Sequence, residues 1–363
     1  MHGEIAIIAL QSSEKMGNRV NQILTEWRGG NGFLIPVECP RFGSGEAKGV
    51  LFDTVRDKDV YILLDVCNTS VTYKMYGEVN RMSPDDHYQD LKRVIAACCG
   101  RAERITVIMP FLYEGRQHRK TMRESLDCAV MLRELENMGV HSILTFDAHD
   151  PRMQNVVPLM GLDNVSPALQ FTQALLTEYD NLKIDSDHMM FIAPDEGSTG
   201  RVVFLASLFG VDIGMFYKRR DYTKIINGTN PVVAHDFCGR PVEGMDVIIV
   251  DDMIASGGSM LDTARQLKIM GANRVFIFTT FGLFTSGLER FDDAYKRGCF
   301  DRLFTTNLVY QKPELKEREW YLTVNMDRYV AALIDTINKG NSIGELLTPG
   351  KRIREMVDIY KNR

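Results

Sequence analysis

The sequence predicts an α/β fold of parallel sheets, built as two similar domains in tandem. Three observations predict it. Short β-branched apolar runs alternate along the chain with stretches whose apolar residues recur at helical spacing, the pattern of strands joined by helical crossovers. The segment Asp59-Val-Tyr-Ile-Leu-Leu-Asp65 echoes Asp246-Val-Ile-Ile-Val-Asp-Asp252, and a helical stretch and another apolar run follow each, which suggests duplication. At 363 residues, 45% of them apolar, the chain is long enough to build two cores of ordinary size.

The strands are predicted in order at 5–10, 59–66, 105–110, 142–146, 189–193, 247–250 and 275–280, each an apolar run too short to cross a membrane. Residues 150–168 are rich in turn formers and lose periodicity, so a domain boundary is placed there. The expected division is 1–160, 161–325, and a terminal piece, 326–363. Residues 326–338 have amphipathic spacing, and KRIREMVDIYKNR, following Gly350, reads as a solvated basic helix. The stretch 286–316 shows no clear pattern.

A net charge of -5, with basic clusters no longer than Lys218-Arg219-Arg220, gives no reason to expect nucleic acid or a membrane as partner. The partner is expected to be small. Seven cysteines include the adjacent pair Cys98-Cys99 but no CxxC spacing, and MHGEIAIIAL lacks a charged leader region and a cleavage site. A reduced, cytoplasmic protein is expected.

The stretch VIIVDDMIASGGSML, 247–261, concentrates the chemistry. A buried strand ends in Asp251 and Asp252, a loop of small residues follows, and Leu261, Ala264 and Leu267 begin a helix. Open α/β sheets bind ligands at the carboxyl ends of strands, and the free amides of Ser256, Gly257, Gly258 and Ser259 at a helix start suit a phosphate. The two aspartates sit too near that anion to be its partners, so sugar hydroxyls or magnesium are their natural targets. The combination points to a sugar phosphate. A capping aspartate beside a plain glycine turn is the other reading of the same residues.

Four further segments share an order and spacing with this loop: PFLYEGRQHRK (110–120), LTFDAHD (144–150), APDEGSTGR (193–201) and YKRRD (217–221). With them the chain resembles the ribose-phosphate diphosphokinase family, also called phosphoribosyl diphosphate synthetases, from about residue 3 to about residue 347. Enlargements fall at 68–84 and 286–320. The resemblance implies two tandem phosphoribosyltransferase-like domains and transfer of the diphosphate of ATP to the anomeric hydroxyl of ribose 5-phosphate, releasing AMP. It implies that Ala255 to Ser259 hold the ribose phosphate and that Asp251 and Asp252 meet the ribose hydroxyls. His149 and Asp195 match ligands of magnesium, the implied cofactor. Arg116 and Gln117 match contacts to the nucleotide, Phe42 in RFGSGE would stack on the base, and Glu46 matches an acid that reaches the adenine of a neighbouring subunit. A homo-oligomer follows from that last role.

Lys218 and Arg220 match a catalytic flexible loop whose cations stabilise charge on the transferred phosphoryl oxygens. The sequence departs from the family pattern at Ala255, where Asp is common, at His118 and Glu114-Gly115, and at Phe281. Thr54 and Arg56 match part of an allosteric phosphate site. Two other functions share these residues: a phosphoribosyltransferase joining a base to the sugar, and a non-catalytic relative that binds or regulates active synthetases.

Overall fold

The apolar runs become strands of two main sheets, of five and seven strands, and every run is interior except the first, which forms an edge. The computed structural model describes residues 2–220 and 232–362, with the side chains of 218–220 and 232–235 outside that description. Two units divide the chain. Unit 1 is Met1–Pro167, Asn307–Tyr310 and Asn325–Thr348; unit 2 is Ala168–Thr306, Gln311–Val324 and Pro349–Arg363.

Unit 1 opens with β1 (Ile5–Ala9), α1 (Glu14–Arg28), the short pair β2 (Val37–Glu38) and β3 (Val50–Leu51), and β4 (Asp59–Leu63). A hairpin follows, β5 (Thr72–Met75) and β6 (Glu78–Arg81), then α2 (Pro84–Ala97), β7 (Arg104–Ile108), α3 (Asp127–Asn137), β8 (Ser142–Phe146) and β9 (Gly161–Val165). The sheet order is β1-β4-β7-β8-β9, all parallel. All five residues of β4 are buried, which is why it reads as a continuous apolar run. The enlargement at 68–84 is largely the β5–β6 hairpin, and Ser83 then starts α2 with a capping box, trading hydrogen bonds with Asp86 ahead of Pro84. Strand β9, GLDNV, was not expected. As an edge strand it buries only Val165, so no apolar run marks it, and it carries unit 1 past residue 160.

Unit 2 contains α4 (Ala168–Glu178), β10 (Met189–Ala193), α5 (Thr199–Phe209), β11 (Asp212–Arg220), β12 (Val232–Cys238), β13 (Asp246–Ile254), α6 (Gly258–Ile269), β14 (Val275–Gly282), α7 (Glu289–Lys296), β15 (Arg302–Thr306) and β16 (Tyr321–Val324). The sheet order is β12-β11-β10-β13-β14-β15-β16, parallel except for β12. From β10 the chain builds outward to β11 on one side, then returns to lay β13 on the other. That reversal makes the crevice between the ends of β10 and β13 the topological switch point. The unpatterned stretch 286–316 is ordered by aromatic rings: Phe291 stacks on Trp320 at 5.7 Å, and the Trp320 indole N–H donates to Asp292 at 2.7 Å.

Residues 326–363 do not form one terminal piece. Helices α8 (Asp327–Asn338) and α9 (Gly344–Leu347) belong to unit 1, and α10 (Gly350–Lys361) belongs to unit 2. Helix α8 packs on α1 through Arg28–Asp335 at 2.7 Å and Arg19–Asp327 at 2.5 Å. Helix α10 is not simply solvated: Ile353, Val357 and Tyr360 share a buried face, and the Tyr360 hydroxyl donates to the Tyr179 carbonyl at 2.8 Å. All seven cysteines are free thiols, and among the described residues no helix is long and apolar enough to cross a membrane.

Candidate active site

Strand β13 runs four residues beyond its apolar core, so Asp251 and Asp252 lie inside the strand and Met253 and Ile254 still pair with Phe281 and Gly282 of β14. Successive side chains take opposite faces. Asp252 is buried, with the Arg201 guanidinium 3.8 Å away, while Asp251 accepts the Ser198 hydroxyl at 2.6 Å and the Asp252 amide at 2.9 Å. Burial, then the charges of Asp252 and Asp195, raise the Asp251 carboxyl well above the usual carboxylate range.

The loop turns at Gly257, whose φ of +84° is left-handed; a Cβ there would lie 2.2 Å from the Phe291 ring. Only glycine fits. Gly258 opens α6, and a Cβ on it would meet nothing within 4 Å. The N-cap is Gly257, which has no side chain to cap the 12-residue helix, so its first amides are left for another partner. Ser256, Gly258 and Ser259 are exposed and Ala255 half-buried, so an anion has access to these residues. Electrically the site places a helix start with exposed small residues beside two acids. That arrangement suits a ligand with a phosphate at one end and hydroxyls next to it.

In unit 1, β8 delivers the loop 147–150, fixed by the Ala148 amide donating to the Asn164 side chain at 2.9 Å. His149 is exposed, and its ring lies 5.4 Å from that of His118. His118 Nε2 is 3.5 Å from Asp150, whose carboxyl is held at about 2 chiefly by hydrogen bonds from Arg152. The loop 116–118 and the loop 147–150 therefore meet. Arg116 is exposed, whereas the Gln117 amide nitrogen donates to the Ser125 carbonyl at 2.8 Å and so helps close its own loop.

Residues 42–46 form a tight turn, closed by the Phe42 amide on the Glu46 carbonyl at 2.7 Å and the Gly45 amide on the Phe42 carbonyl at 2.9 Å. The turn presents Phe42, 55% exposed, and Glu46, which accepts the Ser44 hydroxyl at 2.8 Å. Lys218 and Arg220 were expected on a loop. Their backbone lies in β11, opposite His235 and Val232 of β12, and their side chains lie outside the described structure, as does Asp221.

Sequence reasoning singled out neither Ser198 nor Arg201, although both stand in the quoted APDEGSTGR. A serine and an arginine one turn apart at a helix start carried the signal. For magnesium the residues fit in kind: Asp195, Asp251 and Asp252 are hard oxygen donors, and Asp251 and Asp252 are adjacent in one strand. Among the described residues no group of three or more His, Cys, Asp or Glu side chains forms a closed metal cage. Magnesium keeps several waters and takes one or two carboxylates plus substrate phosphates, so it needs none.

A strand, a small-residue loop and a helix start with paired acids at the switch point of a parallel sheet are the features of a phosphoribosyltransferase-type domain, and residues 168–318 match the phosphoribosyl transferase domain model. Residues 5–139 match the model of the N-terminal domain of ribose phosphate pyrophosphokinase. The ribose-phosphate pyrophosphokinase of Vibrio parahaemolyticus is 27% identical over 310 residues, 84% of this chain and 89% of the relative. That of Ralstonia nicotianae is 29% identical over 250 residues, 68% of this chain and 70% of the relative. The crystal structure of phosphoribosylpyrophosphate synthetase from Mycobacterium smegmatis shares the fold at a TM-score of 0.75 and 19% identity, covering 93% of this chain and 100% of that one. The chain belongs to the ribose-phosphate pyrophosphokinase family.

Proposed function

We propose that the protein transfers the diphosphate of ATP to the C1 hydroxyl of ribose 5-phosphate, giving 5-phosphoribosyl 1-diphosphate and AMP. The observation that carries this reading is the uncapped start of α6 beside Asp251 and Asp252, with open space at Gly258. The amides of 256–259 bind the 5-phosphate, and the two aspartates accept hydrogen bonds from the ribose hydroxyls, which fixes the C1 oxygen for attack. That oxygen bonds to the β-phosphorus, the bond from the β-phosphorus to the oxygen it shares with the α-phosphorus breaks, and the hydroxyl proton leaves to solvent. Phe42 stacks on the adenine ring, Glu46 accepts from it, and Arg116 and Gln117 orient the nucleotide. Lys218 and Arg220 stabilise charge building on the transferred oxygens. His149 and Asp195 are each a candidate ligand for magnesium, which would supply charge neutralisation on the phosphates. Assembly as a homo-oligomer follows if Glu46 serves a neighbouring copy.

Phosphorus NMR of the protein with ATP, magnesium and ribose 5-phosphate tests this. Equal amounts of AMP and a sugar-linked diphosphate are expected. ADP release marks ordinary kinase or hydrolytic chemistry. Consumption of added phosphoribosyl diphosphate only when a base is supplied marks a phosphoribosyltransferase. No turnover across several divalent metals, with and without inorganic phosphate, would sink the proposal and leave the regulatory relative.

A further inference from the structure

The β5–β6 hairpin lies outside the motifs that carry the family resemblance, and the reaction just proposed makes no use of it. It packs against the turn 42–46. The Tyr76 amide donates to the Gly43 carbonyl at 2.8 Å. Gly45, at φ +94°, passes so near Met75 that a Cβ would lie 2.7 Å from the sulfur. At the root of the turn, the Arg41 guanidinium sits 4.9 Å over the Tyr73 ring and hydrogen-bonds the buried Asp90 at 2.8 Å, which leaves it little freedom.

The tip of the hairpin is Tyr76-Gly77, with φ of +51° and +85°. Two left-handed residues between paired strands make a turn of the primed kind, whose first position favours Asn, Asp or Gly. Tyrosine is a poor residue for that backbone, and burial does not compensate it. Tyr76 is 81% exposed, one hydrogen bond from a turn whose Phe42 is itself 55% exposed. A large ring held in solvent at a disfavoured backbone position points to what the ring binds.

We propose that Tyr76 is a second base-contacting residue: the hairpin extends the nucleobase surface of the 42–46 turn with another aromatic face, and Arg41, Tyr73 and Met75 hold that surface in place. The ligand class is the purine base of a nucleoside polyphosphate. This rests on the assignment of the turn to adenine. Stacking acts on the base and adds nothing for the phosphates, so the contribution is separable from phosphate binding.

The test is Tyr76→Asn in the full chain, because asparagine suits the left-handed position and preserves the hairpin. Calorimetric titration with magnesium present compares ATP with inorganic triphosphate, which lacks a base. The expected result is a Tm equal to or above that of the unmodified protein, an ATP Kd raised roughly tenfold, and an unchanged triphosphate Kd. Tyr76→Phe should keep the ATP affinity, and sedimentation should show an unchanged mass. Unchanged ATP affinity in Tyr76→Asn overturns the proposal, as does equal weakening of triphosphate. A lower mass also overturns it and makes the hairpin an interface between copies. Phe42→Ala separates the two readings. If it weakens ATP while Tyr76→Asn does not, the hairpin proposal falls alone; if neither variant weakens ATP, the turn's assignment to the base falls with it. If only Tyr76→Asn weakens ATP, the stacking role of Phe42 falls and that of Tyr76 stands.

Discussion

Gly257 and Gly258 are neighbours in sequence but are glycine for different reasons. Gly257 needs a left-handed backbone and has the Phe291 ring against it, so Gly257→Ala should cost about 2 kcal/mol or more of stability. Gly258 has empty space where a side chain would go. Gly258→Val should therefore fold, with a Tm within a few degrees of the unmodified protein, yet lose ribose 5-phosphate binding because the side chain fills the approach to the amides. Titration calorimetry on the folded variant checks this, and retained sugar-phosphate affinity would contradict the placement. The sequence pointed to a phosphate loop here because small residues follow a strand that ends in paired acids, with a plain glycine turn as the other reading. It was silent on which glycine the fold needs, since Phe291 lies far along the chain.

Among the elements, buried strands were legible, β1 at its sheet edge included, and exposed or mixed ones were not. Strands β4, β8, β10 and β14 are buried almost throughout, so they appear as apolar runs. Strand β9 and the β5–β6 hairpin have exposed faces and mixed composition, and β15 and β16 sit in a segment whose order comes from the contacts around Trp320. The spacing in α10 announced a helix. Its burial depends on Tyr179, 181 residues earlier, which no local pattern reveals. In strand β11 the basic pair expected on a loop has its backbone in the sheet. Lys218→Ala or Arg220→Ala should lower kcat on the order of a thousandfold while leaving the KM for ribose 5-phosphate nearly unchanged, because the contact acts on the transferred group. Steady-state kinetics on the two variants decide it, and near-normal turnover in both would remove these residues from catalysis.

At the scale of the whole molecule, two buried acids tie late segments of the chain into unit 1. Asp59 accepts the Arg104 guanidinium at 2.6 and 2.8 Å, the Tyr61 hydroxyl at 2.6 Å, and the Asn338 amide of α8 at 3.0 Å. Burial works to raise its carboxyl, but these hydrogen bonds outweigh it and hold the group below the usual range. Arg104→Met should cost about 3–5 kcal/mol, seen as a lowered urea midpoint, because it strands a buried charge.

Asp65 behaves oppositely. It accepts the Cys67 amide at 2.8 Å and the Tyr310 amide at 2.6 Å, yet burial dominates and pushes its carboxyl up to about 7. The folded state therefore holds this proton more tightly than the unfolded chain, whose aspartate titrates near ~4. The stability contribution is full below that value and is lost as pH rises towards 7. Carbon NMR of the Asp65 carboxyl should show a midpoint near neutrality, with urea stability of unit 1 falling as pH rises from about 4 towards about 7 and levelling above that; a midpoint below about 5 would contradict the assignment. The sequence presented Asp65 only as the echo of Asp252 in a copy without the glycine loop.

The bond from Asn338 to Asp59 spans 279 residues, and between them in the chain lies most of unit 2. During synthesis the amino-terminal sheet emerges first, with Asp59 lacking the partner that α8 supplies. At roughly 5–20 residues added per second, that wait lasts about 15 s or longer. In that interval the nascent sheet carries an exposed flank where α1 awaits α8, so the first half of the protein is expected to be most dependent on chaperones while the second half is being made. Fragments ending near residue 160 should be aggregation-prone for the same reason, even though they contain every strand of that sheet except β9.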